Sequence, residues 1–89
     1  MSDFAEVLSE PTNYAVVQLP GRQFPGVVFQ GDTLHSLAHS LNELRQLARH
    51  LGNQDMNARL HEVCESLTQV VAHYEAVCRM RGIRLPYPP

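Results

Sequence analysis

The stretch Leu19–Leu34, LPGRQFPGVVFQGDTL, decides the architecture of this chain. It holds two Pro-Gly steps, Pro20-Gly21 and Pro25-Gly26. Proline presets its own φ and glycine admits positive φ, so both steps are typical of tight connections. The apolar run Val27–Phe29 comes next, and Gly31-Asp32-Thr33 after it is a helix-start signal. The stretch therefore predicts a strand, a tight loop, a second strand, a turn and the beginning of a helix.

Short β-rich segments lie on both sides of the loop. Tyr14–Leu19 and Gly26–Gln30 are rich in β-branched and aromatic residues, which favours strands. The segment Asp3–Ser9 fits either a helix or an edge strand. Since a two-stranded ribbon is marginal alone, we interpret it as a third strand. We expect Asp32 or Thr33 to cap the helix that follows, because either side-chain oxygen can accept a first-turn amide.

Two amphipathic helices make up the rest of the chain. The first has one broad apolar face, formed by Leu34, Leu37, Leu41, Leu44, Leu47, Ala48 and Leu51. The second has a narrow stripe that we expect to be buried, formed by Met56, Leu60, Val63, Cys64, Leu67, Val70, Val71, Tyr74, Val77 and Cys78. Gly52 and Gly82 are the expected stop signals, and Ile83 is expected to fold back. The short connector predicts an antiparallel hairpin whose second helix is longer, about 40 Å against roughly 28 Å.

The predicted fold is therefore α+β in a single domain. A small antiparallel β-meander of two to three strands (residues 1–31) precedes a long antiparallel two-helix hairpin (residues 32–82) and a Pro-rich tail (residues 83–89). We expect the hairpin to cover one face of the sheet. The longer helix extends beyond its partner, so part of its apolar stripe is left uncovered, which predicts a homodimer. The tail either docks into an aromatic groove or is a frayed or self-packed end, and we favour the latter.

Composition excludes several classes of function. The 89 residues carry a net charge of −2, which offers no basic field for nucleic acid or anionic lipid. No apolar run approaches the ~20 residues of a transmembrane helix, and the N-terminus lacks signal-peptide features. Cys64 and Cys78 fall about 21 Å apart on one helix, too far for a disulfide. We expect a cytoplasmic protein with reduced thiols that binds neither nucleic acid nor membrane.

Two histidine motifs resemble metal-binding patterns in part. His35 and His39 are spaced i, i+4, as a two-ligand metal clip requires, but the sequence supplies no third ligand. With Asn42 they form a polar face, which we interpret as partner surface. His61-Glu62 begins like a metalloprotease motif, yet Glu65 stands where its second histidine belongs. We therefore expect no metal, no cofactor and no catalytic residue.

Two further positions keep alternative interpretations. Gly31–Thr33 opens a helix whose free amides fit an anion, although helix capping by Asp32 is the stronger interpretation. Arg22 stands beside Phe24 on a stiff loop, an arrangement typical of an interface hot spot. Equally, Phe24 could tuck into the core and leave Arg22 merely solvated.

The run NYAVVQLPGRQFPGVVFQGDTL, Asn13–Leu34, resembles a family of small uncharacterised bacterial proteins. Its members carry the pattern PGRxxPGxxxQGDxL followed by a helical C-terminal half. The resemblance is specific over about the first third of the chain and transfers no catalytic residue. Some small acidic bacterial proteins of this build act as immunity or antitoxin partners, an analogy of size and class.

Two functions are compatible with these observations. The first is a non-enzymatic protein-interaction module, most concretely an immunity-type inhibitor of a bacterial toxin. Its expected partner-binding residues are Arg22, Phe24, His35, His39 and Asn42. The alternative is a small-ligand or metal-sensing regulatory domain that uses the His35/His39 face and the Gly31–Thr33 turn.

Overall fold

The computed structural model describes residues 4–88 and has an α+β architecture. A three-stranded antiparallel sheet in the order β1–β2–β3 is followed by two helices. The elements are β1 (Glu6–Val7), β2 (Tyr14–Gln18), β3 (Gly26–Phe29), α1 (Gly31–Arg49) and α2 (Gln54–Met80). The predicted meander and helical pair are confirmed. Residues 1–3 and Pro89, which the sequence analysis assigned to the meander and the tail, lie outside the described residues.

The first segment is a strand, as we interpreted it. Val7 of β1 lies opposite Val17 of β2. The pairing continues past β1, because the Leu8 amide donates to the Val16 carbonyl at 2.8 Å and the Ser9 hydroxyl accepts from the Val16 amide at 2.8 Å. A short β1 therefore gains support from a side chain as well as from the backbone ladder.

The start of α1 differs from the prediction. Neither Asp32 nor Thr33 is the capping residue, since the helix begins at Gly31 and Gln30 holds the extended N-cap conformation. The Gln30 carbonyl accepts the amide of Leu34 at 2.9 Å, which places the first helical turn earlier than expected. The Asp32 carboxylate instead accepts from the Thr33 amide at 2.9 Å. It still lies in the first turn, where the helix dipole favours a negative charge.

The other helix ends follow the predicted stop signals. Gly52 has a φ of +68° in the connector, although α1 itself ends three residues earlier, at Arg49. The Asn53 side chain caps α2 by accepting the Met56 amide at 3.0 Å. Beyond α2, Gly82 has a φ of +67° and the Ile83 amide donates back to the Cys78 carbonyl at 2.8 Å. This is the fold-back that a glycine after a helix favours.

The two helices pack antiparallel against each other. The Cys64 thiol lies 3.5 Å from the Leu41 carbonyl, and the Arg45 guanidinium donates to His61 Nδ1 at 2.6 Å. The buried hydrophobic residues of the described hairpin are mostly small: Leu34, Ala38, Ala48, Cys64 and Cys78. Only part of the α2 stripe is buried against α1, because Val63, Val70 and Val77 remain exposed. The α1 helix covers one side of this stripe, where Cys64 and Cys78 are buried, and leaves the other side exposed.

The hairpin does not cover a face of the sheet, contrary to expectation. The main packing runs between α1 and α2 and between neighbouring strands, while Val27–Phe29 of β3 are all exposed. The buried residues of the helices lie where α1 and α2 face each other, and the remaining apolar residues of the hairpin face solvent instead of the sheet. The radius of gyration is 16.0 Å, against about 12 Å for a compact chain of this length. Within residues 4–88, no helix is long and apolar enough to span a membrane.

Candidate functional site

The loop between β2 and β3 has the tight turn that its sequence predicts. The Arg22 amide donates to the Leu19 carbonyl at 3.3 Å, which closes a four-residue turn. Pro20 and Gly21 occupy its two central positions, and Gly21 has a φ of +77°. Proline followed by a positive-φ glycine is the signature of a type II turn. The backbone direction at Arg22 is thereby set by local chemistry.

A glutamine side chain braces this loop. The Gln18 amide group, at the end of β2, donates to the Arg22 carbonyl at 2.7 Å and to the Leu19 carbonyl at 3.4 Å. Sequence reasoning missed this role, because a polar residue at a strand end carries no pattern of its own. The backbone of the loop is therefore held both by the turn hydrogen bond and by the Gln18 side chain.

The loop presents an aromatic ring and a cation to solvent. Phe24 is 74% exposed, so it does not tuck into the core. Arg22 is also exposed, and the two residues line a shallow hollow together with Leu19, Gln23 and Pro25. An exposed aromatic beside an arginine on a braced loop is an arrangement suited to binding another macromolecule.

The predicted polar face of α1 forms one wall of a groove. His35, His39 and Asn42 line it from α1, and Thr68 and Glu75 line it from α2. We call this set of five residues the histidine groove. The structure thus brings the three predicted α1 residues together and adds two α2 residues that sequence spacing alone does not reveal.

The α1 residues of the histidine groove each have a partner of their own. His39 Nε2 lies 3.1 Å from the Glu43 carboxylate, and the Asn42 amide group donates to the Ala38 carbonyl at 3.0 Å. The His35 ring stacks on Tyr87, with centroids 3.7 Å apart and planes 17° from parallel. Within residues 4–88, no three His, Cys, Asp or Glu side chains are grouped to hold a metal ion.

The Pro-rich tail packs against the end of the histidine groove. Besides stacking on His35, Tyr87 donates its hydroxyl to the Glu75 carboxylate at 2.9 Å. Burial and this hydrogen bond both raise the pKa of Tyr87, to about 12. Of the interpretations left open for the tail, the self-packed one therefore agrees with the structure over the described residues. Sequence reasoning missed the pairing, since nothing in the tail's composition points to His35.

The turn considered as an anion site carries a carboxylate of its own. The Asp32 carboxylate already accepts from the Thr33 amide, so a negative group occupies part of the helix start. On the other side, the ring and hydroxyl of Tyr74 lie directly against Gly31. Burial raises the pKa of Tyr74, with smaller contributions from Cys78 and Asp32. The turn is thus a packing junction between α1 and α2.

A second groove of the hairpin is apolar and was not predicted. Leu37 and Leu41 line it from α1, and Val63, Leu67 and Val70 line it from α2. We call this set the leucine–valine groove. Its sequence signal is the seven-residue spacing of Leu37, Leu44 and Leu51, matched by Val63, Val70 and Val77. On sequence alone these residues belong to the apolar faces of the two helices, and their spacing does not show which of them α1 and α2 bury against each other.

Comparison with known proteins adds one result. A family model, described as a family of unknown function, matches residues 2–87. This agrees with the resemblance to an uncharacterised family. No curated protein and no solved structure matches the chain.

Proposed function

The chain belongs to DUF6959, a family of unknown function, and we propose that it is a non-enzymatic protein-interaction module whose β2–β3 loop binds a partner protein. The observation that carries this proposal is the exposure of Phe24 on a braced loop. A few residues carry most of the binding energy of a typical interface, and aromatic and arginine side chains are enriched in interfaces. Phe24 and Arg22 provide one of each, side by side.

The rigidity of the loop supports the same proposal. Ordering a flexible segment on binding costs free energy, and a segment already held in one conformation avoids much of that cost. The type II turn and the Gln18 hydrogen bonds hold the Leu19–Arg22 backbone before any partner arrives. The complementary partner surface has an apolar pocket for Phe24 and an acidic rim for Arg22.

The most concrete form of this function is an immunity-type inhibitor of a bacterial toxin. Its support is the small size, the net charge of −2 and the resemblance of Asn13–Leu34 to small bacterial proteins. We place this activity in the cytoplasm, where the free thiols of Cys64 and Cys78 would stay reduced. His39 and Asn42 of the histidine groove form a second candidate contact surface.

The test is capture of the partner by the full-length tagged chain in its native cell, read by mass spectrometry. We expect one larger protein in stoichiometric amount with the wild type. Arg22→Glu and Phe24→Ala should each reduce its recovery at least about tenfold, a loss of roughly 1.4 kcal/mol or more. Met80→Ala is the matched control, because Met80 is also highly exposed but lies at the end of α2.

Two results would contradict this proposal. Equal recovery by wild type and both loop variants would remove the loop as the binding surface. Recovery of the bait alone would favour the second candidate, a small-ligand or metal-sensing domain. The observation behind that candidate is the groove itself, which His35 and Asn42 line from α1 and Thr68 lines from α2. A metal would need a ligand beyond the side chains that the described residues bring together there.

The second candidate has its own measurement. Zn²⁺, Ni²⁺ and phosphorylated metabolites would be screened for a rise in the melting temperature of the wild-type chain. A ligand that uses the histidine groove should lose its effect in His35→Ala. If none of these ligands raises the melting temperature, that result would count against this candidate.

A further inference from the structure

Two rows of apolar residues run along the hairpin at a spacing of seven. Leu37, Leu44 and Leu51 form the first, in and just beyond α1, and Val63, Val70 and Val77 form the second, in α2. A seven-residue step is close to two helical turns, so each row stays on one side of its helix. All six residues are exposed. A sustained seven-residue repeat of exposed apolar residues is typical of a helix that packs against further helices.

The antiparallel register places the two rows side by side. The contacts of Leu41 with Cys64 and of Arg45 with His61 align the helices. Leu37 then lies across from Val70, and both line the leucine–valine groove. By the same register Leu44 lies near Val63. The rows therefore form the two walls of one apolar groove over about 10 Å of helix, and Leu51 and Val77 extend it at opposite ends.

The exposed area is large enough to account for a stable interface. The chain has 7403 Å² of accessible surface, whereas a compact monomer of 10.0 kDa exposes about 5,200 Å². The difference, roughly 2,000 Å², belongs to the whole chain, sheet and tail included, and it exceeds the area of about 800 Å² that a stable protein–protein interface removes from each partner. The buried side chains between α1 and α2 are mostly alanine and cysteine, which leaves the larger leucines and valines outside. The hairpin alone is an incomplete core.

We infer that a second copy of this chain covers the leucine–valine groove, so that two hairpins form a four-helix bundle about a two-fold axis. The groove has one wall from each helix, and the complementary shape is another helical hairpin with the same two rows. Two-fold symmetry pairs identical patches and so needs no other partner of matching shape. The missing core is then supplied by the protein itself. The inference is independent of the proposed function, because the β2–β3 loop lies outside the groove.

The test is the mass of the full-length chain in solution, measured by light scattering over a concentration series. The wild type should have the mass of two chains at tens of micromolar. Val70→Glu and Leu44→Glu place a charge in the groove and should give the mass of one chain. Val27→Glu is the matched control: Val27 is exposed on β3, and this variant should keep the mass of two chains.

Milder variants keep the test informative if the charged ones lose helical circular dichroism. Val70→Ser should raise the dimer dissociation constant at least about tenfold, against no change for Val27→Ser. A wild-type mass of one chain at tens of micromolar would overturn the inference. So would dissociation by Val27→Glu with retention of the dimer in both groove variants, because that result would assign the interface to the sheet. Partner capture by the loop is read separately, so failure of one proposal leaves the other standing.

Discussion

Tyr74 of α2 lies with its ring and hydroxyl directly against the backbone of Gly31, the first residue of α1, and leaves no room there for a Cβ atom. Gly31 follows β3 after a single residue, so this contact joins the end of the sheet to the second half of α2. Burial is the main cause of the raised pKa of Tyr74. The glycine in the helix-start signal is therefore needed for close packing, since its φ is not positive.

Gly31→Ala should destabilise the protein. Alanine normally favours a helix over glycine by up to about 1 kcal/mol. Here its methyl group overlaps the Tyr74 ring, and overpacking of this kind typically costs about 1–3 kcal/mol. Chemical denaturation would measure the change. Gly26→Ala is the control, because nothing lies within 4 Å of the position its Cβ would occupy; equal stability of the two variants would refute the close contact.

Asn53→Ala should cost more stability than Asp32→Ala. The Asn53 side chain accepts the Met56 amide, and loss of such a cap typically costs about 1 kcal/mol. Asp32 bonds only to its neighbour Thr33, and its favourable interaction with the helix dipole is worth about 0.3–1 kcal/mol at an exposed site. Thermal unfolding of the two variants compares them directly. The reverse order would show that Asp32 acts as the cap of α1 after all.

The contact of Tyr87 with Glu75 should weaken at high pH. The pKa of Tyr87 is raised to about 12 in the folded chain, against about 10 in an unfolded one. Below the lower value both states keep the proton and the contact contributes fully. Above it the unfolded chain loses its proton first, so stability falls as pH rises toward the folded pKa.

Unfolding free energies at about pH 9 and about pH 11 would test this behaviour. The wild type should lose more stability between the two than Tyr87→Phe, which keeps the ring on His35 but has no hydroxyl. Tyr14 and Tyr74 are present in both chains and serve as the internal control. An identical loss in both would mean that the Tyr87 hydroxyl takes no part.

Both native thiols should be protected from reagents while the chain is folded. Cys64 is 2% exposed and Cys78 is 5% exposed. A thiol reagent should therefore react slowly under native conditions and stoichiometrically in denaturant. Ala72→Cys supplies an exposed control thiol on the same helix and away from both grooves, so it should react at once. Rapid native reaction of the wild type would show that α1 and α2 separate readily.

Local sequence signals predicted the turns and the helix ends. They did not predict which side chains are exposed or which distant residues contact each other. Pro20-Gly21 predicted the tight turn, and Gly52 and Gly82 predicted the positive-φ residues at the helix ends. These features depend on a few adjacent residues, so the sequence suffices for them. The exposure of Phe24 depends on what else the fold brings near it, and the sequence left that question open. The stacking of Tyr87 on His35 joins residues 52 positions apart and has no local signal.

The sequence by itself determined the order of strands and helices, the turns and the antiparallel hairpin, because backbone preferences and apolar periodicity act over short distances. Only the tertiary structure decided which apolar residues are buried. Both helices have more apolar surface than one helix–helix contact can cover. The residues buried in that contact include the small residues Ala38, Ala48 and Cys64, which let the helices approach closely. Because the helices pack through these residues, the leucine–valine groove stays exposed and the hairpin does not pack on the sheet. Which apolar residues become buried depends on how segments distant in the sequence pack together, so no single segment predicts it.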